Sequence, residues 1–484
     1  MSSTAESSAR DRIISLLDES SFVEIGAMIT KRNTDFNLLE KETPADGVIT
    51  GYGVIAGKPV YVFSQDASTL NGTIGEMHAR KIVNLYDLAL KVGAPVIGLI
   101  DCAGFRLQEG LDALAGFGDV YLKQTMASGI IPQITAIFGS CGGGVAVSSL
   151  LSDFTFMEEK SAKLFVNSPN AMENNYIGKL DTSTASFQAK AGVIDFVGRD
   201  EAQVLTSIRD LVAILPSNNL DEDSFGESMD DLNRELNDFD IIISDPAKSL
   251  VELSDQGQFI EVKKEFAKDM VAGFIRLNGM TVGAVANRLA LLDEEDKVVE
   301  TMEPVLSTDG CLKAEKFINF CDAFQIPLLS LTNVTGYKAD VQEEKTIGKA
   351  AAKLTYAFAN ATVPKINVVV GKAYGSAYIT MNSKHIGADL VFAYEESRIG
   401  MMEGKDAVPI LYANEIKKSL VATQYSKEKA KEYDDSKGSS ISAAKRGYVD
   451  SIIHRKDTRK HLIYGFDMLF TKRVSRPSKN HGTV

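Results

Sequence analysis

The most restrictive feature of the sequence is a glycine-rich turn that occurs twice. Residues 139–146, GSCGGGVA, follow an apolar run that begins at Ile130, and residues 371–378, GKAYGSAY, follow a second apolar run at 365–370. The two turns lie 232 residues apart. Glycines at the end of an apolar run favour a sharp turn, so each copy predicts a buried strand followed closely by a helix. A repeat of this length predicts two similar domains and not a short-period solenoid.

The same offset relates other positions in the two halves. The pairs are Pro95 with Pro327, Gly104 with Gly336, Pro132 with Pro364, and Gly143 with Gly375. Nearer the start of each half the offset is 222, as in Gly51 with Gly273 and Gly57 with Gly279. The second half should therefore contain about ten extra residues, which the alignment of the halves assigns to residues 291–300.

An acidic segment separates the two halves. Residues 220–240 contain nine acidic residues and one basic residue, Arg234, without clear periodicity. Such a charge run predicts a solvated linker. We therefore expect an N-terminal domain at residues 1–219, an acidic linker at 220–240 and a C-terminal domain at 241–484.

Apolar periodicity predicts the order of elements in the first half. Helices are expected at residues 9–17, 75–92 and 111–128, strands at 21–29, 95–101 and 130–138, a hairpin at 46–66, and a further helix from Gly143. The second half repeats the hairpin, the helix and the two glycine-turn strands, and ends with a helix at 454–470. This alternation predicts an α/β fold in which ββα units build a largely parallel sheet.

The glycine turns also suggest a chemical role. Backbone N–H groups at a turn beside a helix N-terminus attract anions and can stabilise an oxyanion during reaction at a carbonyl. His78 lies in the long helix without a visible partner, and we interpret it as a structural histidine. Arg106, Gln108 and Glu109 follow the first glycine loop, where the sequence is compatible with ligand contacts or with local polar bonds at a helix N-terminus.

Composition restricts the class of function. The 484 residues carry a formal net charge of −13, which argues against a nucleic-acid ligand. Four cysteines lie far apart in the sequence without a CxxC motif, so neither a zinc site nor a disulfide framework is predicted. No apolar stretch approaches the roughly 18 residues that cross a bilayer, and no signal peptide is visible. These features predict a soluble cytoplasmic protein.

Several longer motifs carry a family resemblance. The first half contains GVITGYG, GEMHARKIV, DCAGFRLQEGLDALAG, SGIIPQITAIFGSCGGG and LSDFTFM. The second half contains FCDAFQIP, AKLTYAFANATVPKINVVVGKAYGSAY, SKHIGADLVFA and RGYVDSII. Together they cover nearly the whole chain and resemble the carboxyltransferase subunits of biotin-dependent acyl-CoA carboxylases. They are similar also to the corresponding subunits of sodium-pump decarboxylases such as methylmalonyl-CoA decarboxylase.

The resemblance implies a fold and an assembly. It implies two tandem crotonase-like domains, each a ββα superhelix, in a homo-oligomer that is a hexamer built from dimers. Each active site would lie between the N-terminal domain of one subunit, which binds coenzyme A, and the C-terminal domain of another, which binds biotin.

The resemblance also assigns site residues by position. The acyl-CoA oxyanion hole would use the amides of Gly143 and Gly144, with Gly104 and Phe105 at the neighbouring turn. The biotin oxyanion hole would use the amides of Ser376 and Ala377, with Gly375, Gly336 and Tyr337 beside it. Ile379 matches a position that shapes the acyl pocket, where an apolar residue suits a short acyl chain. Main-chain donors on both sides would make a side-chain acid or base unnecessary.

Three segments depart from the usual family pattern. The chain has CAGFR at residues 102–106 where SGGAR is usual, NVTGYKAD at 333–340 where DVPGFLPG is usual, and QEEKT at 342–346 near the family's QEWGG segment. Phe105 is bulkier than the usual alanine on the acyl-CoA side. The other two changes lie on the biotin side and leave the main-chain turns possible.

The resemblance implies partners and leaves alternatives open. The chain has no biotinyl-lysine motif, ATP-grasp segment or zinc ribbon, so biotin is expected as carboxybiotin on a separate biotin carboxyl carrier protein. Other partners would be a biotin carboxylase or a membrane decarboxylase pump subunit. The substrate pair would be propionyl-CoA and methylmalonyl-CoA or acetyl-CoA and malonyl-CoA, with the direction open. The alternatives are a biotin-independent crotonase-like reaction, with Glu109 as the nearby acid, and a non-catalytic acyl-CoA-binding subunit.

Overall fold

A computed structural model describes residues 8–173, 180–221, 226, 228–236 and 243–477. The chain folds as two units, unit 1, Met1–Ser224, and unit 2, Phe225–Val484. The first seven residues, part of the acidic segment and most of the basic C-terminal tail lie outside the described residues.

Unit 1 is built on a sheet that begins antiparallel and continues parallel. The strand order is β1-β2-β3-β4-β5-β6-β8, and β7 pairs with the end of β5. Strands β1 to β3 are antiparallel neighbours, whereas β3 to β6 and β8 run parallel. The strands are β1 Val23–Ile25, β2 Val48–Ile55, β3 Lys58–Gln65, β4 Val96–Cys102, β5 Gln133–Gly142, β6 Phe154–Glu158, β7 Lys163–Phe165 and β8 Phe196–Gly198. The helices are α1 Ala9–Leu16, α2 Glu76–Val92, α3 Leu111–Ala127, α4 Gly144–Leu150, α5 Ala185–Lys190 and α6 Glu201–Ile214.

Unit 2 repeats this topology. Its main sheet has the order β20-β18-β17-β15-β11-β10-β9, with β19 on the end of β17. The strands are β9 Phe259–Glu261, β10 Met270–Leu277, β11 Met280–Asn287, β12 Ala290–Leu292, β13 Val298–Thr301, β14 Val305–Leu306, β15 Leu328–Val334, β16 Gly336–Tyr337, β17 Lys365–Tyr374, β18 Leu390–Ala393, β19 Arg398–Gly400 and β20 Ser451–Ile452. The helices are α7 Pro246–Leu253, α8 Thr308–Ala323, α9 Ile347–Asn360, α10 Gly375–Thr380, α11 Gly404–Leu411, α12 Ala413–Lys418, α13 Ala422–Lys437, α14 Ser440–Lys445 and α15 Thr458–Leu469.

The internal repeat found in the sequence is a repeat of structure. Strands β2 to β5 of unit 1 correspond to β10, β11, β15 and β17 of unit 2, with the same parallel and antiparallel pairings. The ten extra residues form the antiparallel hairpin of β12 and β13, which unit 1 lacks among its described residues. The predicted α/β class with ββα units is confirmed.

The central strands of both sheets are buried, and they coincide with the apolar runs of the sequence. Strand β4 and the first half of β5 are buried on both faces, as continuous apolar strands of parallel sheets usually are. Helices α2 and α3 close one face of unit 1, and α8 and α9 occupy the corresponding positions in unit 2. This arrangement brings the carboxyl ends of β4 and β5, and of β15 and β17, to one edge of each sheet.

Two expectations from the sequence need correction, and one region was not predicted. The strand predicted at residues 21–29 is only Val23–Ile25. Strand β5 does not end at Phe138 but continues to Gly142, because β7 pairs with its last residues and extends the ladder. Helices α11 to α13 were not anticipated, since α13 is largely polar and has no buried face that periodicity could reveal.

The acidic segment is not simply a solvated linker. Leu236 is buried in the core of unit 2. Arg234 pairs with Asp230 and Glu252, and Arg459 donates to the carbonyl of Asp231. The described residues 228–236 are therefore bound to unit 2 by one apolar anchor and several ionic contacts that charge density alone did not predict.

Candidate active site

The two glycine turns of unit 1 lie on adjacent strand ends. Strands β4 and β5 are parallel, and Cys102 is the register partner of Cys141. Beyond these residues the chain turns at Gly104, with a φ of +118°, and at Gly143, with a φ of +60°. A Cβ atom at either glycine would meet no heavy atom within 4 Å. The backbone conformation therefore requires glycine at these two turns, while the space beside them stays open to a ligand.

An aromatic wall lies beside the second turn. A Cβ at Gly144 would approach the Tyr121 hydroxyl to 3.0 Å and the Phe105 and Phe117 rings to 3.2 Å. The Phe105 and Phe117 centroids are 4.2 Å apart, and the Tyr121 hydroxyl donates to the Gly144 carbonyl at 2.6 Å. Phe105 remains 42% exposed. The structure therefore brings the predicted residues Phe105 and Gly144 together and gives the site an apolar wall.

The amide of Gly143 does not fit its predicted role. Its N–H donates to the Phe165 carbonyl at 2.9 Å, because β7 continues the ladder beside it. In the repeat, the predicted donors of unit 2, Ser376 and Ala377, correspond to Gly144 and Val145. Both of these amides lie in the first turn of α4, where a helix offers no internal acceptor. The available donor pair is thus one residue further along than the pair assigned from the resemblance.

The corresponding turn of unit 2 is slightly less open, because a Cβ at Gly375 would lie 3.4 Å from the Met401 carbonyl oxygen. Gly375 has a φ of +62°, and helix α10 begins there, which places the exposed Ser376 and the buried Ala377 in its first turn. A Cβ at Gly336 would meet nothing within 4 Å. The Tyr337 hydroxyl lies 3.4 Å from the Thr380 hydroxyl, so the Gly336 turn packs against α10. Ile379 is 38% exposed on the same helix.

The polar residues after Gly104 form a buried network. Arg106 is fully buried and donates to Asp46 at 2.6 Å and to Glu109 at 2.8 Å. Glu109 also accepts the amide of Glu76, the first residue of α2, at 2.6 Å. Arg106 and Glu109 therefore make local polar bonds at a helix N-terminus, which was one of the two alternatives; the other was contact with a ligand. Both Arg106 and the first amide of α2 engage the Glu109 side chain, so nothing in this geometry favours a biotin-independent reaction through Glu109.

His78 is a structural histidine, as expected. It is fully buried, its Nδ1 lies 3.0 Å from the Asp46 carbonyl, and its Nε2 lies 3.2 Å from the Gln65 side-chain nitrogen. Burial, with a further contribution from Arg106, lowers the pKa of His78 well below its ordinary value. His78 is therefore a neutral imidazole held between Asp46 and Gln65, and this structural role explains its presence without a catalytic one.

Cysteines that are distant in the sequence are neighbours in the fold. Cys102 and Cys141 lie in the same buried cluster of unit 1, and both are free thiols. Burial raises the pKa of each to about 12, so neither resembles a reactive nucleophile. The described residues contain no cluster of metal-ligating side chains and no helix long and apolar enough to cross a membrane.

Comparison with known proteins places this geometry in a family. The carboxyl transferase domain family matches residues 3–484. The methylmalonyl-CoA decarboxylase alpha subunit of Propionigenium modestum is 37% identical over 98% of this chain and 92% of its own. The propionyl-CoA carboxylase beta chain of Roseobacter denitrificans is 38% identical over 98% of this chain and 93% of its own.

A solved structure agrees with these sequence relatives. The crystal structure of the hexameric transcarboxylase 12S, with methylmalonyl-coenzyme A and methylmalonic acid bound, superposes with a TM-score of 0.91. It is 35% identical and covers 98% of this chain and 91% of that one. The fold is thus the tandem crotonase-like fold of carboxyltransferases. The chain belongs to the carboxyl transferase domain family, and it is an enzyme subunit that acts in carboxyl transfer.

Proposed function

We propose that this chain moves a carboxyl group between carboxybiotin on a separate carrier protein and a short acyl-CoA. The propionyl-CoA and methylmalonyl-CoA pair is the preferred substrate, because relatives with both names align over nearly the whole chain. The observation that carries the proposal is the pair of open glycine turns, one in each unit, at equivalent places in the repeat.

In this proposal residues 1–219 form the acyl-CoA side and residues 241–484 the biotin side. The amides of Gly144 and Val145 replace the pair Gly143 and Gly144 as donors to the thioester oxygen. Amides held in this way stabilise negative charge on a carbonyl oxygen without reorganising, which is typically worth ~10²–10³ in rate for each donor. Phe105 and Ile379 supply apolar surfaces that suit a short acyl group.

The biotin side fits a flat ring that approaches the main chain. The space beside Gly336 is open, and Ser376 is exposed at the first turn of α10. The amides of Ser376 and Ala377 would donate to the ureido oxygen, with Gly375, Gly336 and Tyr337 around it. When bound, carboxybiotin supplies the carboxyl group and a nitrogen that takes the α-proton. The chain's own part is to orient the two carbonyl oxygens and to hold the negative charge on them.

The proposed partners follow from this division. A biotin carboxyl carrier protein brings the ring, and a biotin carboxylase or a membrane decarboxylase subunit sets the direction of transfer. The cytoplasmic location expected from the sequence stays a prediction. We also propose a dimer-based homo-oligomer, supported by an exposed apolar stripe along α3 and the loop before it. Leu111, Leu114, Leu122 and Met126 share one face of α3, Leu107 lies in the turn before it, and each of the five is more than half exposed.

The test removes a single proposed donor. Ser376→Pro deletes the backbone N–H at this position. The first turn of a helix is where a proline side chain is best tolerated, and Ser376→Ala keeps the N–H as a control. Biotin-dependent decarboxylation of methylmalonyl-CoA is measured with free biotin and with a biotinylated carrier. We expect Ser376→Pro to lower kcat by about 10²–10³ and Ser376→Ala to retain most of it.

Two outcomes would contradict the proposal. Equal activity of Ser376→Pro and Ser376→Ala would remove this amide from the reaction. Binding of CoA esters without turnover by the unsubstituted protein, with either form of biotin, would favour a non-catalytic acyl-CoA-binding subunit. Thermal unfolding of both variants checks that the proline leaves the fold intact.

A further inference from the structure

Unit 2 contains an acidic pocket directly beside the proposed biotin turn. The cavity measures about 430 Å³ and is lined by Asp269, Ser307, Asp309, Lys338 and Glu343, with Glu300 and Glu303 at its rim. Val305 pairs with Gly336, and the Lys338 amide donates to the Leu306 carbonyl at 2.9 Å. One wall of the pocket is therefore continuous with the Gly336–Tyr337 strand.

The repeat shows what the same position holds in unit 1. There Arg106 lies between the carboxylates of Asp46 and Glu109, and Glu109 also accepts the first amide of α2. In unit 2 Lys338 replaces Arg106 in the repeat, and Glu343 takes over the helix contact by accepting the amide of Thr308 at 2.8 Å. The repeat aligns Glu109 with Val341, so a carboxylate two positions further along keeps the contact with the helix, but the buried guanidinium is not kept.

Three further exchanges alter the position in unit 2. The repeat aligns His78 with Gly310, and Gly47 with Asp269. A Cβ at Gly310 would lie 2.9 Å from an Asp269 carboxylate oxygen, so glycine there makes room for the carboxylate. The repeat also aligns Asp46 with Lys268, which turns toward the rim and pairs with Glu300 at 3.8 Å. A filled core position in unit 1 has become a cavity lined with carboxylates.

Charge in the pocket favours a cation. The lining includes five carboxylates, of Asp269, Glu300, Glu303, Asp309 and Glu343, against two ammonium groups, of Lys268 and Lys338. Lys338 binds Glu343 at 3.2 Å but remains 47% exposed. Burial and the neighbouring Glu343 and Asp269 raise the pKa of Asp309, as expected for a carboxylate among carboxylates. A further positive group would relieve this repulsion.

Part of the rim, Glu300, comes from the ten residues that only the second repeat contains, and Glu303 follows three residues later. Hairpin β12–β13 leads directly to Glu300, Met302 and Glu303, and strand β13 is exposed along its whole length. The exposed strand β13 carries Glu300 to the edge of the pocket, whereas Ala290 and Leu292 of β12 are buried. The position of β13 suits contact with a second protein.

We propose that this pocket binds a basic side chain, preferably arginine, of the biotin carrier protein. This inference rests on the proposed function, because the carrier must dock close to the Gly336–Tyr337 turn for its biotin to reach Ser376. Arg106 in unit 1 is the internal precedent for a guanidinium held by the carboxylate that contacts the first helical amide. Arginine suits such a slot because its planar fork can bond two carboxylates.

The test compares two carboxyl acceptors with the full-length protein. Decarboxylation of methylmalonyl-CoA is followed with free biotin and with the biotinylated carrier domain of a propionyl-CoA carboxylase. The variants are Glu303→Gln and Asp309→Asn in the pocket. Glu294→Gln is the matched control, because it removes one charge from the neighbouring hairpin β12–β13 outside the pocket. The readout is kcat/KM for the carrier divided by kcat/KM for free biotin.

We expect each pocket variant to lower this ratio about 5- to 10-fold, mainly through the KM for the carrier, and the control to leave it within twofold. The salt dependence of the carrier KM should weaken in the pocket variants, because one screened charge contact is lost. A ratio that falls no further in Glu303→Gln and Asp309→Asn than in Glu294→Gln would overturn the inference. An absence of turnover by the unsubstituted protein with both free biotin and the biotinylated carrier would instead overturn the proposed function itself.

Discussion

Unit 1 and unit 2 share one topology but differ in how they fill one equivalent position, the space beneath the first glycine turn. In unit 1 the space beneath the Gly104 turn is filled by Arg106, Asp46, Glu109 and His78, all buried. In unit 2 the corresponding space is the pocket lined by Lys338 and Glu343. The backbone hydrogen bonds around the two positions are nevertheless equivalent, since Ile74 bridges Phe105 as Leu306 pairs with Tyr337.

The difference shows what a duplicated domain permits. A buried ion network contributes little net stability but holds its partners in one arrangement, because leaving any charge unpaired is costly. Unit 1 therefore presents a rigid wall behind Phe105 and Gly144. Unit 2 keeps the turn but opens the space behind it, which leaves a charged surface for another protein.

The largest difference in stability between the two units is expected when the cation at this position, Arg106 in unit 1 or Lys338 in unit 2, is removed. We expect Arg106→Met to destabilise the protein by about 3–5 kcal/mol, because it leaves two buried carboxylates without their partner. Lys338→Met removes a half-exposed cation from the equivalent position and should cost about 1 kcal/mol or less. The measurement is the urea midpoint of each variant. Similar midpoints would show that the networks are equivalent and that the comparison is mistaken.

A smaller contrast is expected between two glycines of unit 2. Gly310→Ala places a methyl group 2.9 Å from oxygens of Asp269 and Ser307, and we expect a loss of about 1–3 kcal/mol. Gly336→Ala meets no neighbour and needs no left-handed φ, so stability should change by about 0.5 kcal/mol or less. Thermal unfolding of the two variants measures both. A larger effect at Gly336 would mean that the open turn is crowded in solution.

The smallest difference between the two units is expected where the repeat keeps the same residue type and the same contacts. Lys81 and Lys313 occupy equivalent positions on α2 and α8, and their Nζ atoms donate to the carbonyls of Ala45 and Ala267. Both acceptor residues have a positive φ, and burial lowers the pKa of each lysine to about 8. These lysines bind the same bend at the start of the hairpin in both units.

This equivalence has a pH signature. An unfolded lysine titrates near 10.5, so between pH 8 and 10.5 the unfolded chain holds more protons and stability rises with pH. Lys81→Met and Lys313→Met should each reduce this pH-dependent increase in the free energy of unfolding by the same amount. The unfolding free energies of both variants and of the unsubstituted protein, measured from pH 7.5 to 10.5, test it. A change in only one variant would show that the two bends differ.

Sequence reasoning was most successful where a pattern is local or repeated. The hairpin at residues 46–66, helix α2 and strand β4 were predicted to within a few residues, because each has a clear period. It was less successful where tertiary pairing decides the outcome. Strand β5 runs past its glycines because β7 lies beside them, and residues separated by more than 20 positions gave no sign of that pairing.

The candidate site divides in the same way. The resemblance indicated the turns at Gly143 and Ser376, but only the fold showed that the Gly143 amide is already bonded to Phe165. The acidic pocket was invisible in the sequence, although the ten-residue insertion that supplies part of its rim was found by aligning the repeats. A pocket depends on which side chains fill a space, and that space is created by elements far apart in the chain.

The sequence by itself determined the duplication, the α/β class, the glycine turns and the family. These properties are written in periodicity, in backbone requirements such as a positive φ, and in residue spacing. Tertiary structure alone decided which amides remain free, that Arg106 and Glu109 are internal, and that unit 2 keeps an open acidic pocket. The physical reason is that hydrogen bonds and ion pairs are assigned by proximity in space, and proximity across a sheet has no local signature.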